Sequence, residues 1–450
     1  MRPMRLVPLA AALAAALGAS GASAQSLLAL YEQARAQDAA WQSARAQYEA
    51  NVARADQALA GILPSANLSS SYSRTQADIV GIPSGPLVQN PNYFGAQNTT
   101  LSASQPLYRP ANWATYQQGK RQVDLAQAQY IVAEQDLIIR VSQAYFDVLA
   151  AQDTLAFVRA QKTAVGEQLA SAKRNFEVGT STITDTREAQ ARYDLVLAQE
   201  IAAENDLRVK KLALDTLVGK KDADPVPVAS SIELGPPQPA DVEAWVTQAE
   251  DASPAVQQAR IALDVAKLET EKARAGHKPT LDLQASYGVI RNINGTTTNP
   301  LSPSSTRPAI AQAGVVLNVP IFAGFATQNR VRETVSLEDK AQADLDNARR
   351  TVAQNTRAAY FGLVSGQGQV RALEAAEASS QSALDANRLG YQVGVRINID
   401  VLNAQSQLFQ TKRDLAQARY NVLLGQLKLR QANGTLVPDD LARLNALVTK

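Results

Sequence analysis

The sequence predicts a mainly α-helical chain with membrane-type β-strands. It is organised as two tandem structural repeats with long coiled-coil helices, and its four strands can close a barrel only by joining those of other copies. Three observations carry this. Residues 26–219 recur at 241–434 with one offset, 215: Phe176-Glu177-Val178-Gly179 returns as Tyr391-Gln392-Val393-Gly394, Ala144-Tyr145-Phe146 as Ala359-Tyr360-Phe361, and Pro64 with Tyr72 as Pro279 with Tyr287. A constant offset over that distance marks two copies of one unit, because chance matches drift in register. Each repeat also contains a very long stretch of helical spacing and two short segments that alternate in polarity.

At the amino terminus, Arg2 and Arg5 precede the apolar run Leu6 to Leu17, and Ala22-Ser23-Ala24 provides a small-x-small cleavage pattern. Residues 1–24 are therefore expected to be an export signal, leaving Gln25 first. No later run is apolar for the length a spanning helix needs. The absence of cysteine removes disulfide scaffolding and a lipid-modified terminal cysteine, so membrane attachment has to come from the fold.

The first repeat is expected over 25–220, the second over 241–434. Each reads as helix, strand, loop, strand, very long helix, turn, helix. Ala111 to Val178 contains no proline and repeats small or apolar residues at helical spacing (Val123, Ala126, Tyr130, Ala133, Leu137, Val141). A helix of that length reaches roughly 100 Å. Its counterpart runs from about Phe325 to Val393, where Gly362, Gly366 and Gly368 predict bending or close helix contact. Ser26–Ile62, Ile183–Gly219, Asp241–His277 and Ile397–Gln431 read as shorter single helices. A stacked pair of them matches one long helix, giving two columns per repeat. Leu337, Ala341, Leu345, Ala348 and Val352 are spaced like a coiled-coil seam. Helices alone would suit an elongated soluble coiled coil equally well.

The strands break that tie. Leu281, Leu283, Ala285, Tyr287 and Val289 alternate with Asp282, Gln284, Ser286 and Gly288; Ala311, Ala313, Val315, Leu317 and Val319 alternate with Gln312, Gly314 and Asn318, with Val316 as an exception. Ala66–Ser73 and Thr99–Gln105 are weaker versions. One apolar and one polar face suit an outer-membrane barrel, in which closure satisfies every backbone group. Since about eight strands make the smallest such barrel, four require oligomerisation into two, three or four copies. The segments Gln76–Gln97 and Arg291–Pro308, rich in turn-forming residues, read as exposed loops. Pro106 and Pro320 are expected where strand turns into helix. The five prolines within Asp222–Pro239 mark a linker, assigned to 221–240, and a carboxy-terminal segment covers 435–450.

Catalysis has little support. Without cysteine, and with His277 as the only histidine, there is no thiol nucleophile and no two-histidine metal site, and no cofactor is expected. His277 reads as a helix-end residue, and carboxylates are expected on solvated helix faces beside bases, as with Glu338 and Lys340. The 44 basic and 42 acidic residues nearly cancel without a basic cluster, so nucleic acid is not an expected partner. No GxxxxGK[ST] loop is present, so energy must come from a partner.

The informative polar sites are the two helix-to-helix turns. Gly179 and Gly394 can end the long helices, and Thr182, Thr184, Asp185, Asn398 and Asp400 suit the next helix starts. In a ring of copies each such residue recurs around one mouth.

The whole mature chain resembles the TolC family of outer-membrane channel-tunnels, most specifically in Gly276-His277-Lys278-Pro279-Thr280-Leu281-Asp282-Leu283, Tyr391-Gln392-Val393-Gly394-Val395-Arg396, Asp400-Val401-Leu402 and Ala418-Arg419-Tyr420-Asn421. The resemblance implies a homotrimer: a 12-stranded barrel in outer-membrane lipid, an α-helical tunnel extending into the periplasm, and an equatorial belt formed by the linker and carboxy-terminal segment. It further implies an exit duct for small-molecule efflux or type I protein secretion, served by a periplasmic adaptor (membrane fusion) protein and an inner-membrane RND, MFS or ABC transporter. Tyr391 and Arg396 would hold the mouth closed through Asp185, Thr184 and Gln168, and Asp400 would form an acidic ring. Asn403 stands where a second acid is common in the family, implying weaker electrostatic selectivity. Two other readings stay open at this point: a periplasmic coiled-coil adaptor or structural protein, which leaves the alternating strands unexplained, and a secreted filament subunit.

Overall fold

The computed structural model of the chain describes residues 25–77, 92–228, 235–293 and 305–448. The expected signal at 1–24 and the middles of both expected loops lie outside them. The elements are α1 (Leu27–Gln37), α2 (Ala39–Leu59), β1 (Ser65–Ala77), β2 (Asn92–Tyr108), α3 (Pro110–Glu177), α4 (Ile183–Val218), α5 (Val242–Ala252), α6 (Pro254–Ala275), β3 (Thr280–Ile293), β4 (Ala309–Asn318), α7 (Ala326–Gln392), α8 (Asn398–Ala432) and α9 (Asp439–Val448). They divide into two compact units. Among the described residues, a helical unit takes those between Gln25 and Arg45, Tyr130 and Val256, and Arg349 and Val448; a sheet unit takes those between Ala46 and Gln129 and between Gln257 and Ala348.

In the sheet unit the four strands pair antiparallel in the order β1-β2-β3-β4. Directly paired residues share a face, so the register can be read as rows. Leu68, Leu101, Tyr287 and Ala311 form one row; Gln105, Leu283 and Val315 form another on the same face. On the opposite face Asn67, Ser102, Ser286 and Gln312 make a wholly polar row, and Ser65, Ser104, Gln284 and Gly314 a second. That polar face lines a concavity of about 480 Å³. The apolar face is uncovered: Leu68, Tyr72, Leu101, Tyr287, Val315 and Leu317 are all exposed. The strands are longer than the alternation alone suggests, although β4 stops at Asn318, short of Val319. Pro106 lies within β2, not at its end, beside an irregularity between Pro106 and Tyr108 where its missing N–H removes no regular ladder bond.

The helical segments of this unit follow the order of the strands. Ala58 of α2 packs at Gly119 of α3; Gln118 of α3 donates to Glu269 of α6 at 2.9 Å; Arg330 of α7 reaches Glu269 at 2.7 Å. The corner after β2 is fastened by Arg109, whose Nε and Nη2 donate to the two carboxylate oxygens of buried Asp282 at 2.7 and 2.6 Å.

The helical unit has its main core where Leu27, Leu30 and Tyr31 of α1, Tyr145 and Phe146 of α3, Leu214 of α4, Leu423 and Leu427 of α8 and Leu441 of α9 are buried together. The stretches before and after Val228–Gly235 are tied down by side chains of the long helices. The Tyr145 hydroxyl donates to the Val226 carbonyl at 2.8 Å, and the Tyr360 hydroxyl, one repeat later, to that of Ala240. Gln135 donates to the Gly434 and Leu436 carbonyls at 3.3 and 3.2 Å.

Both long helices are continuous, within a residue or so of the expected limits. Of the three α7 glycines expected to bend the helix or bring helices close, only Gly366 is a close contact, its Cβ position lying 3.1 Å from Val422; a Cβ at Gly362 or Gly368 would meet nothing within 4 Å. His277 follows α6 in a turn, its N–H donating to the Arg274 carbonyl.

Two expectations are corrected. Ser26–Ile62 and Asp241–His277 are not single helices: each breaks, at Asp38 and at Ser253, positions again 215 apart. Ser253 precedes Pro254, which cannot supply a helical N–H and pushes the preceding residue to an extended ψ, here 124°. Asp38 has no proline after it. Its carboxylate instead caps the next helix by accepting from Trp41 N–H at 2.7 Å, while Arg140 of α3 donates to both its oxygens at 2.9 and 3.1 Å. Nor do all carboxylates sit on solvated faces: Asp38, Glu200, Asp282 and Asp440 are buried, and each is held by an Arg or Lys.

Candidate functional site

The two turns end alike. Gly179 (φ 80°) and Gly394 (φ 78°) occupy the left-handed conformation that glycine adopts without steric cost. In both turns the next residue's N–H closes on the carbonyl five residues back, Thr180 to Asn175 and Val395 to Gly390, each at 2.8 Å. The following helices start from extended N-cap residues, Thr182 and Ile397.

The caps then diverge. Thr182 Oγ1 accepts from Asp185 N–H at 3.2 Å, and Asp185 Oδ2 accepts from Thr182 N–H at 3.1 Å, a reciprocal capping box. Ser181 adds a 2.6 Å hydrogen bond to the same oxygen. Ser181 chiefly, with Thr182, holds the Asp185 carboxyl below the usual carboxylate range, against the opposing effect of burial. One repeat later Ile397 has no hydroxyl, so Asp400, the counterpart of Asp185, has no capping partner. Its Oδ2 instead lies 3.7 Å from Arg396 Nη1, a contact too long for a hydrogen bond. The divergence at one N-cap thus gives Asp400 a neighbouring guanidinium in place of a capping partner.

The turns are joined through Asn398, which is only 1% exposed. Its Oδ1 accepts from Gln168 Nε2 at 2.5 Å and its Nδ2 donates to the Asp185 carbonyl at 3.2 Å, tying α3, α4 and α8 together. A second bridge runs from Asn175 Nδ2 to the Tyr391 hydroxyl at 3.3 Å. The Tyr391 ring packs against Leu384, Val401 and Leu408. Arg396 lays its stem over Gly390, where a Cβ would come within 2.7 Å of Arg396 Cγ.

The expected partners are thus rearranged within one chain. Gln168 and Asp185 are brought together by Asn398, not by Tyr391 or Arg396. Tyr391 meets Asn175, and Arg396 pairs with Asp400. Thr184 is exposed and, among the described residues, makes no side-chain hydrogen bond. Sequence reasoning placed Asn398 among the caps and passed over Asn175. The available signal for Asn398 was an amide at the position where the first repeat has apolar Ile183, and for Asn175 one where the second has Gly390. Asn403 accepts from Arg192 Nη2 at 2.8 Å, bridging α8 to α4. Among the described residues no helix is long and apolar enough to cross a membrane, and no group of three or more His, Cys, Asp or Glu could hold a metal.

The model of a family described as outer membrane efflux protein matches residues 30–220 and again 245–435, two matches displaced by the same offset as the internal repeat. Outer membrane protein TolC of Vibrio cholerae is 34% identical over 442 residues, covering 98% of each chain. The alkaline protease secretion protein AprF of Pseudomonas aeruginosa is 32% identical over 93% of this chain and 86% of its own. Among solved structures, the Campylobacter jejuni CmeC outer membrane channel superposes with a TM-score of 0.76 at 17% identity, over 94% of this chain and 89% of that one. The outer membrane protein VceC from Vibrio cholerae gives 0.73 at 19% identity, over 91% and 96%. At those identities the structures establish the fold.

Proposed function

The chain belongs to the outer membrane efflux protein family, and from that premise we propose that it is a trimeric exit duct. In this reading the strands of three copies form a 12-stranded barrel in the outer membrane and the helices continue it as a periplasmic tunnel. A periplasmic adaptor and an energised inner-membrane transporter deliver the cargo. Relatives include both a protein named for efflux and two named for protease secretion, so small molecules and proteins are both within the cargo class. No catalytic reaction is assigned to it.

The observation that carries this reading is the sheet: rows of apolar residues on one face, rows of polar residues on the concave other, and free edges at β1 and β4. A sheet edge in lipid leaves backbone donors and acceptors without partners, so β1 of one copy has to pair with β4 of another. Further parts of the proposal are cleavage of residues 1–24, and an equatorial belt from 221–240 and 435–450. The mouth is held by Gln168, Asp185 and Tyr391 through Asn398 and Asn175, with Arg396 alongside and Thr184 at the rim, and Asp400 forms an acidic ring. The test is mass measurement in detergent followed by planar-bilayer recording: three copies that form a discrete pore are expected. A dispersed monomer in plain buffer, or trimers without conductance, would sink the reading.

A further inference from the structure

Where the strands of the sheet unit meet its helices, a cavity of about 1110 Å³ lies between α3 and α6. Five cations line it: Arg109, Arg121, Lys267, Arg274 and Lys278. Two of them are neutralised. Arg109 holds Asp282, and Arg121 lies 3.2 Å from Asp124 and 3.8 Å from Asp264. Lys267, Arg274 and Lys278 form no ion pair among the described residues, whereas Lys272 and Arg330 both pair with Glu269, at 3.2 and 2.7 Å. The remaining carboxylate on the wall, Glu271, sits one helical turn after Lys267 and offsets its charge. Arg274, in the last turn of α6, and Lys278, two residues before β3, are left as the net charge at the end nearest the sheet. The helix dipole favours cations there. It does not call for a cavity of this size beside them.

The rim specifies the ligand further. Leu107, Tyr108 and Trp113 border the cavity and are exposed. Tyr108 pairs with Leu281, which puts it on the apolar face of the sheet with Leu283 and Tyr287. The cationic cavity therefore adjoins the margin of that face. Tryptophan and tyrosine favour the depth at which hydrocarbon gives way to headgroups, and guanidinium and ammonium groups are phosphate ligands. A soluble anion would engage the cations but gain nothing from the apolar face. A phospholipid uses both, with its phosphate in the cavity and its chains along Leu283 and Tyr287.

We propose that this cavity binds the headgroup of an anionic phospholipid of the periplasmic leaflet, its phosphate held by Arg274 and Lys278. The inference rests on the reading of the sheet as part of an outer-membrane barrel, and it names the class of lipid that the barrel's periplasmic margin selects.

The experiment places full-chain trimer in phosphatidylcholine bilayers and reads tryptophan quenching by a small fraction of phosphatidylglycerol brominated on its chains. Trp113 is the one tryptophan of the sheet unit, Trp41 and Trp245 belonging to the helical unit, so Trp113→Phe identifies its signal. Brominated phosphatidylglycerol should quench Trp113 more strongly than brominated phosphatidylcholine at the same mole fraction, to the extent that a roughly tenfold preference of the site produces. Arg274→Gln/Lys278→Gln should abolish the excess at unchanged trimer yield. Glu271→Gln, which removes the opposing carboxylate, should raise it. Equal quenching by the two lipids, an excess that survives the double substitution, or one that Glu271→Gln fails to raise overturns the proposal. So does displacement of the excess by soluble glycerol phosphate, which would make the ligand a free anion. A fall in trimer yield of the double variant would assign the cations to a neighbouring copy, and it overturns the proposal as well. Conductance of the same parent trimers in planar bilayers tests the duct reading separately.

Discussion

At the scale of single residues, the two turns show how one substitution between repeats reassigns a carboxylate. Asp185→Ala should destabilise the α4 start by about 1 kcal/mol, the usual cost of losing a cap, and thermal unfolding of the trimer reports it. Because the folded Asp185 pKa is depressed, its contribution is complete above the ordinary carboxylate range and disappears as pH falls through the lowered folded value. Asp400→Ala should leave stability unchanged while reducing cation preference and block by multivalent cations in bilayer recordings. Ile397→Thr places a hydroxyl on an N-cap whose angles (φ −98°, ψ 161°) match those of Thr182 (φ −91°, ψ 159°). It should engage Asp400 in a second capping box, stabilising the helix start by ~1 kcal/mol and weakening cation block at once. Tyr391→Phe with Arg396→Ser removes the acceptor of Asn175 and the partner of Asp400. Conductance should rise at unchanged trimer yield, and an unaltered conductance would reduce these residues to ordinary helix-end groups.

At the scale of elements, the register of the sheet makes a sharper test than composition. Val315 and Gln312 lie within one turn of pleat on β4 but on opposite faces, paired with Leu283 and Ser286. Val315→Arg should impair folding into bilayers by roughly 2–4 kcal/mol if it meets lipid near the midplane, and Gln312→Arg should be tolerated. Equal damage at both would overturn the assignment of faces. The helix breaks are a second case. At Ser253 the proline that follows enforces the break, so Ser253→Ala should be nearly silent. At Asp38 the side chain itself caps the next helix and receives Arg140. Asp38→Ala should therefore cost about 1–2 kcal/mol, read by denaturant unfolding.

At the scale of the whole molecule, the repeat predicts how copies meet. Phe146 is 2% exposed and packs in the cluster that holds Leu424 and Leu427, with Ala416 against it. Its counterpart one repeat on, Phe361, is 57% exposed. The first-repeat counterparts of Ala416, Leu424 and Leu427 are Ile201, Val209 and Leu212, and all three are exposed in the single chain. If the contact between repeats inside a chain is repeated between chains, Phe361 of one copy seats against Ile201, Val209 and Leu212 of the next. Phe361→Ser should then lower trimer yield in detergent while leaving helix content intact, whereas undiminished trimer would place the interface elsewhere.

The amino-acid sequence by itself determined the repeat, both long helices, the strand alternation and the glycine turns. All are local: a period of 3.6 or 2 is written in consecutive residues, and a left-handed turn selects glycine at one position. The family resemblance likewise named Gln168, Thr184, Asp185, Tyr391, Arg396 and Asp400 from short motifs. Tertiary structure alone decided what those side chains touch. Asn398 and Asn175 are ordinary amides until packing puts one beside Gln168 and the other beside Tyr391. Thr184 has cap chemistry but is exposed to solvent. The break at Ser253 was legible in Pro254; the break at Asp38 was not, because its warrant is Arg140, about a hundred residues away. Local periodicity fixes which element forms, whereas a partner distant in sequence depends on how helices pack, and no single stretch of the chain encodes that.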